Sequence, residues 1–237
     1  MSPESATDES IKAVLDSIRE RIKGPYPAVK AFQTDLVGYG HIDFQWLWNW
    51  PETVDVARST FNQAAKFMDE YPDFRFTMSS SHLYKAVEEN HPELFKKIQE
   101  KVKNGQWEIV GGRTTEADTN LISPESHARQ FLYGQAYFQS KLGKQAVVGF
   151  EPDTFGHTLQ MPQILKLGGC SYYYFCRTGV GLPLFWWQSP DGSKVLSFCD
   201  EAAGGWYGGD LRNNQLGRLF TYAKKTDRKE MLWMYGV

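Results

Sequence analysis

Asp35-Leu-Val-Gly-Tyr-Gly-His-Ile-Asp43 (DLVGYGHID) opens the part of the chain in which short apolar runs alternate with amphipathic stretches. Its first six residues are mostly apolar and close on glycine, which predicts a buried strand over 35–40. Working outward, the periodicity predicts further strands over 74–79, 107–112, 146–150, 172–176, 184–188, 195–199 and 231–237. Helices are expected over 52–70, 83–89, 92–103, 124–142, 161–167 and 211–225. Strands alternating with helices of roughly 10 to 20 residues argue for βαβ units and a parallel sheet. Seven or eight such strands suggest an α/β fold with a barrel or barrel-like sheet. In such folds the polar residues just after a strand line the functional face.

The 237 residues carry 26 Lys and Arg against 28 Asp and Glu, a formal net charge of −2, with 41% apolar and 23% charged residues. That is the composition of a globular chain. It lacks the basic footprint of a nucleic-acid or acidic-membrane binder. No run of about 18 apolar residues occurs, so no membrane-spanning helix is expected. The polar start, Met1 to Thr7, has no apolar leader core. Cys170, Cys176 and Cys199 are odd in number and form no CxxC pair. They read as reduced thiols in a cytoplasmic protein, or in one exported with a leader absent from this chain. Residues 1–30 read as an N-terminal arm with an amphipathic helix over 8–23, where Ile11, Val14, Leu15, Ile18 and Ile22 recur at helical spacing. Aromatic content is high at 15%, including 8 Trp and 12 Tyr. Tyr172-Tyr173-Tyr174 and Trp186-Trp187 lie within apolar runs and are expected to fill core.

Three strand ends carry chemistry. His41 and Asp43 are two apart in extended backbone, so their side chains point the same way. An imidazole beside a carboxylate is half of a mixed nitrogen and oxygen metal site of the kind that suits Zn²⁺. The plainer reading is an Asp that caps the next segment and orients His41. The strand at 146–150 runs into Glu151-Pro-Asp-Thr-Phe-Gly-His157. A carboxylate here serves as a further ligand or as a nucleophile, or else caps the helix that follows. The third is WEIVGGRTTEADTNLISPES (107–126), where Glu116, Asp118 and Asn120 sit on a polar loop before a helix start. They line a sugar or metal site, or are solvated loop residues.

Five collinear segments, GHIDFQWLW (40–48), GGRTTEADTNLISPES (111–126), RQFLYGQAYF (129–138), EPDTFGHTLQMPQIL (151–165) and FWWQSPDGSKVL (185–196), resemble glycoside hydrolase family 38, the α-mannosidases. The resemblance runs from about Thr34 to the last residue. It implies that 31–237 is part of the family's catalytic seven-stranded α/β barrel and that the substrate is an α-mannoside glycan. It implies zinc held by His41, Asp43 and Asp153, with Asp153 also the nucleophile of a retaining mechanism. Trp46 and Phe155 would line the mannose subsite, Arg177 would lie beside the nucleophile, and Tyr207 would match an active-site tyrosine.

The sequence departs from the family pattern in two places. Arg113-Thr114-Thr115 stands where an aromatic is usual, so that wall of the site is expected to differ. The chain also stops at Val237, before the stretch that supplies the family's acid/base and a second zinc-binding His. It therefore reads as a barrel truncated at its C-terminal end, without the further domains, and with little mannosidase turnover of its own. Two other classes compete. A metal-dependent polysaccharide deacetylase needs a His pair three or four residues apart, whereas His82 and His91 are nine apart and His127 stands alone. A non-catalytic carbohydrate-binding domain would use the aromatics but gives no reason for His41, Asp43 and Asp153 to share strand ends.

Overall fold

The computed structural model describes residues 8–23, 26–205 and 215–236. Helices α1 (Asp8–Lys23) and α2 (Tyr26–Lys30) precede β1 (Gln33–Gly40). Next come α3 (Trp50–Glu70), β2 (Phe76–Met78), α4 (Ser81–Asn90), α5 (Pro92–Lys103) and β3 (Trp107–Ile109). The second half holds α6 (Pro124–Leu142), β4 (Val148–Glu151), α7 (Met161–Leu167), β5 (Tyr172–Phe175), β6 (Leu184–Gln188), β7 (Lys194–Cys199), α8 (Gln215–Thr226) and β8 (Glu230–Tyr235). The expected helix over 211–225 is seen from Gln215, its first residues lying outside the described part. The α1 stripe of Ile11, Val14, Leu15 and Ile18 is exposed.

The strands form two four-stranded sheets, ordered β3-β2-β1-β8 and β4-β5-β7-β6. All pairings are parallel except β6 with β7. The seven-stranded, barrel-like sheet expected from sequence is thus not seen as a closed barrel among the described residues. Closure fails in two places among the described residues. After Ile109 the chain turns through Gly111 and Gly112, both in the left-handed region (φ 83° and 74°), a conformation that favours glycine. So β3 is only three residues long and meets β4 through one bond, Gly111 N–H to the Val148 carbonyl at 2.8 Å. At the other side β7 has β5 on one edge and β6 on the other, so no edge is left for β8.

Three apolar clusters hold the layers. Phe61, Tyr84, Trp107 and Phe138 join α3, α4 and α6 to the first sheet. Tyr39, Phe150, Tyr174, Phe198 and Trp233 meet between the sheets, with Phe150 stacked on Tyr174 at 4.8 Å. Phe131, Leu165, Tyr173 and Phe175 back the second sheet. The core aromatics are thus partly those expected. Tyr173 and Tyr174 are buried, but Tyr172 and Trp186 are exposed. Trp186 sits on the edge strand β6, which has one face uncovered.

Helix α6 crosses the loop after β3 at very close range. A Cβ on Gly134 would lie 2.4 Å from the Gly112 carbonyl oxygen and 2.5 Å from the Arg113 carbonyl carbon. Those are backbone atoms and cannot swing aside. Alanine is the better helix former by about 1 kcal/mol. Overpacking of this kind costs about 1–3 kcal/mol or more. Gly134→Ala is therefore expected to destabilise the chain despite its propensity, lowering Tm by several degrees in thermal unfolding. An unchanged or raised Tm would contradict the close approach.

Candidate functional site

The site forms where β1, β3 and β4 end. Just beyond the end of β1, His41 and Asp43 come together side by side. The turn that follows is pinned from α3. Thr53 Oγ1 donates to the Phe44 carbonyl, and Trp48 Nε1 donates to the Asp43 carbonyl at 3.2 Å. Asn49 and Glu52 close a capping box at the start of α3. Gly40 is tightly packed: a Cβ would lie 3.1 Å from Met78 Sδ and 3.2 Å from Thr60 Cγ2, so those side chains would have to give by a few tenths of an ångström.

His41 Nε2 faces Asp43 Oδ1 at 3.2 Å and Asp153 Oδ2 at 3.7 Å. One ligand atom from each of these three partly buried residues lies within 4.8 Å of the others. The ring's other nitrogen, Nδ1, is 3.0 Å from Glu116 Oε2. Burial by itself lowers the imidazole pKa. The bond to Glu116 and the charges of Glu116, Asp43 and Asp153 outweigh it and carry the pKa up to about 9. The pocket thus gathers three carboxylates around one imidazole, a donor set that suits a divalent cation. A carboxylate on the second nitrogen is the usual partner of a metal-bound histidine.

Asp153 is held from two further directions. Arg177 Nε donates to Asp153 Oδ1 at 2.6 Å, and its Nη2 pairs with the same oxygen. Asp153 N–H donates to Glu116 Oε1 at 2.8 Å. Arg177 itself stands in the left-handed region, φ 61°. Glu201 fixes that backbone by accepting the N–H groups of Arg177, Thr178 and Gly179 at 2.9, 3.0 and 2.9 Å. Although burial pushes the Glu201 carboxyl up, these three amides hold it below the usual range. The Arg177 guanidinium also lies 4.1 Å from the centre of the Phe155 ring. Phe155 and Trp46 are two-thirds exposed (67% and 66%).

Behind this layer lies a charge network that the sequence did not reveal. Glu151 is buried, accepts Thr154 Oγ1 at 2.7 Å, and lies 3.2 Å from Arg113 Nε. Burial pushes the Glu151 carboxyl up, against the pull of Arg113. Arg113 is buried too and reaches His127 Nδ1 at 3.2 Å. Arg113 is therefore not a wall of the site, as its place in the motif suggested. It points inward, with its guanidinium over Phe131.

The structure brings His41, Asp43, Asp153, Arg177 and Phe155 together and leaves Trp46 exposed on the loop after β1. Tyr207 lies outside the described residues. Glu116 joins the site, whereas Asp118 caps a local turn through Asn120 N–H at 3.0 Å. His157 has both ring nitrogens engaged, with Tyr173 Oη at 2.6 Å and the Cys176 carbonyl at 2.8 Å. It is a structural residue. No helix among the described residues is long and apolar enough to cross a membrane.

The profile of the "Glycosyl hydrolases family 38 N-terminal domain" matches residues 31–237. "Alpha-mannosidase G" of Dictyostelium discoideum is 40% identical over 167 residues, covering 68% of this chain and 15% of that protein. "Alpha-mannosidase 2C1" of Homo sapiens is 34% identical over 191 residues, covering 77% and 18%. The chain thus spans less than a fifth of either relative. The crystal structure of an alpha-mannosidase from Enterococcus faecalis superposes with a TM-score of 0.73 at 23% identity, over 87% of this chain and 25% of that one.

Proposed function

The chain belongs to glycosyl hydrolase family 38, and from that membership we propose that it carries the nucleophile and zinc site of a retaining α-mannosidase acting on terminal α-mannosides of glycans. The observation that carries this reading is the placement of Asp153. One of its oxygens faces His41 and the other is held by Arg177. A carboxylate fixed from both sides at a strand end can attack an anomeric carbon along one line. In that step a C–O bond forms between Asp153 and the sugar, and the leaving group departs with the bonding electron pair. Water then cleaves the resulting ester, giving net retention.

Zinc bound by His41, Asp43 and Asp153 would supply positive charge for sugar oxygens. Arg177 orients the nucleophile. Trp46 and Phe155 offer flat apolar faces to the C–H surfaces of mannose. Tyr207 is assigned to the subsite by the family resemblance. Residues 31–237 form the catalytic portion and 1–30 an arm outside it. The deacetylase alternative has less support, because among the described residues the metal-competent cluster contains a single histidine.

The reading is tested with an α-mannosyl fluoride carrying a second ring fluorine. Fluoride leaves without protonation, so the reagent tests the nucleophile alone. Zinc-loaded protein is expected to gain one mannosyl adduct, located by peptide mass spectrometry on the peptide containing Asp153. An adduct at another residue, or none with zinc bound, would overturn the assignment.

A further inference from the structure

We propose that Glu116 is a positioning residue that sets the tautomer of His41 and locks the two halves of the metal site together. The inference rests on His41, Asp43 and Asp153 holding a metal ion. An ionised carboxylate only accepts hydrogen bonds. A metal ion at Nε2 would displace the proton there, and with Glu116 Oε2 at 3.0 Å from Nδ1 the ring keeps its one remaining proton on Nδ1. Its lone pair is then on Nε2, the nitrogen that faces Asp43 and Asp153. In the other tautomer a proton would fill the metal position, and Nδ1 would turn its lone pair against Glu116.

The second oxygen of the same carboxylate acts on the other sheet. Glu116 Oε1 accepts the backbone N–H of Asp153 at 2.8 Å and Thr154 Oγ1 at 3.1 Å. His41 follows a strand of the first sheet, and Asp153 follows a strand of the second. Among the described residues no strand ladder joins those sheets. Glu116 spans the gap with one oxygen for each side, so a single carboxylate fixes the spacing of ligands carried by separate sheets.

The experiment is a Zn²⁺ titration of the 237-residue chain against a chromophoric chelator. Wild type is compared with Glu116→Gln, and metal-free thermal unfolding is measured on both. Glutamine keeps the size and one acceptor, but its amide turned to His41 would be a donor facing a donor. Loss of an outer partner of a metal ligand typically costs 10–100-fold in affinity. That loss is expected for E116Q, with a metal-free Tm close to wild type. E116Q binding Zn²⁺ within about threefold of wild type would overturn the role of Glu116 while leaving the metal reading intact. Failure of wild type to bind Zn²⁺ would overturn both. A second measurement needs no variant. Long-range ¹H–¹⁵N spectra of the zinc-loaded wild type should show His41 protonated at Nδ1 and bound at Nε2. The reverse assignment would overturn the proposal even if E116Q failed to fold.

Discussion

Asp153→Asn is expected to abolish mannosyl capture from the fluoride reagent and to weaken zinc binding in the same protein. Asparagine keeps the shape of the side chain, but its amide oxygen is a poor nucleophile. Deleting an activated nucleophile costs on the order of 10⁴-fold or more in rate. Zinc affinity should fall further than the 10–100-fold typical of an outer-shell loss, because a ligand charge itself is removed. The variant should still fold. The Asp153 side chain is partly exposed (16%), and its backbone N–H keeps its bond to Glu116. Asp43→Asn separates the two roles. It removes a ligand facing His41 Nε2 but leaves Asp153 and Arg177 in place. D43N should weaken zinc binding while retaining slow capture on Asp153. Capture by D153N at the wild-type rate would remove Asp153 as nucleophile. Equal loss of capture in both variants would reduce Asp153 to a metal ligand.

The proposed metal ligands were legible in two ways. His41 and Asp43 share a side through the two-residue period of extended chain, and Asp153 came from the family resemblance of the segment after the strand at 146–150. The helices over 8–23, 92–103, 124–142 and 161–167 were legible from periodicity and from their Pro and Gly boundaries. What escaped depends on contacts far apart in sequence. For Glu116 the sequence left a site role and a solvated loop both open, and only the fold carries it to His41, 75 positions away. The inward turn of Arg113 depends on Gly134 lacking a side chain on a distant helix. The antiparallel direction of β6 also escaped. It is set by the Ser189 to Ser193 turn, where Asp191 accepts the Ser193 N–H at 3.0 Å, and apolar content alone does not encode strand direction.

Trp107→Ala is expected to cost about 3–5 kcal/mol, which lowers Tm by about 6–20 °C for a chain of this size. Trp107 is among the largest fully buried side chains. Its ring meets Phe76 edge-on at 4.8 Å and Phe61 at 5.2 Å. Its indole N–H donates to Tyr84 Oη at 2.8 Å, and Tyr84 in turn donates to the Met78 carbonyl at 2.9 Å. Truncation would open a cavity that α3, α4 and β2 cannot close together. Trp107→Phe keeps most of the volume and leaves Tyr84 its bond to Met78, so it should cost about 1–2 kcal/mol. Trp46→Ala is the contrast. That ring is two-thirds exposed and packs edge-on against Trp48 at 5.9 Å. Its loss should stay within about 0.5 kcal/mol in stability, while binding of mannosides weakens. The aromatic excess of this chain thus divides by burial between rings that hold β3 in place and rings proposed to meet sugar. Thermal unfolding of the three variants tests that division, and a Tm loss for W46A matching that of W107A would refute it.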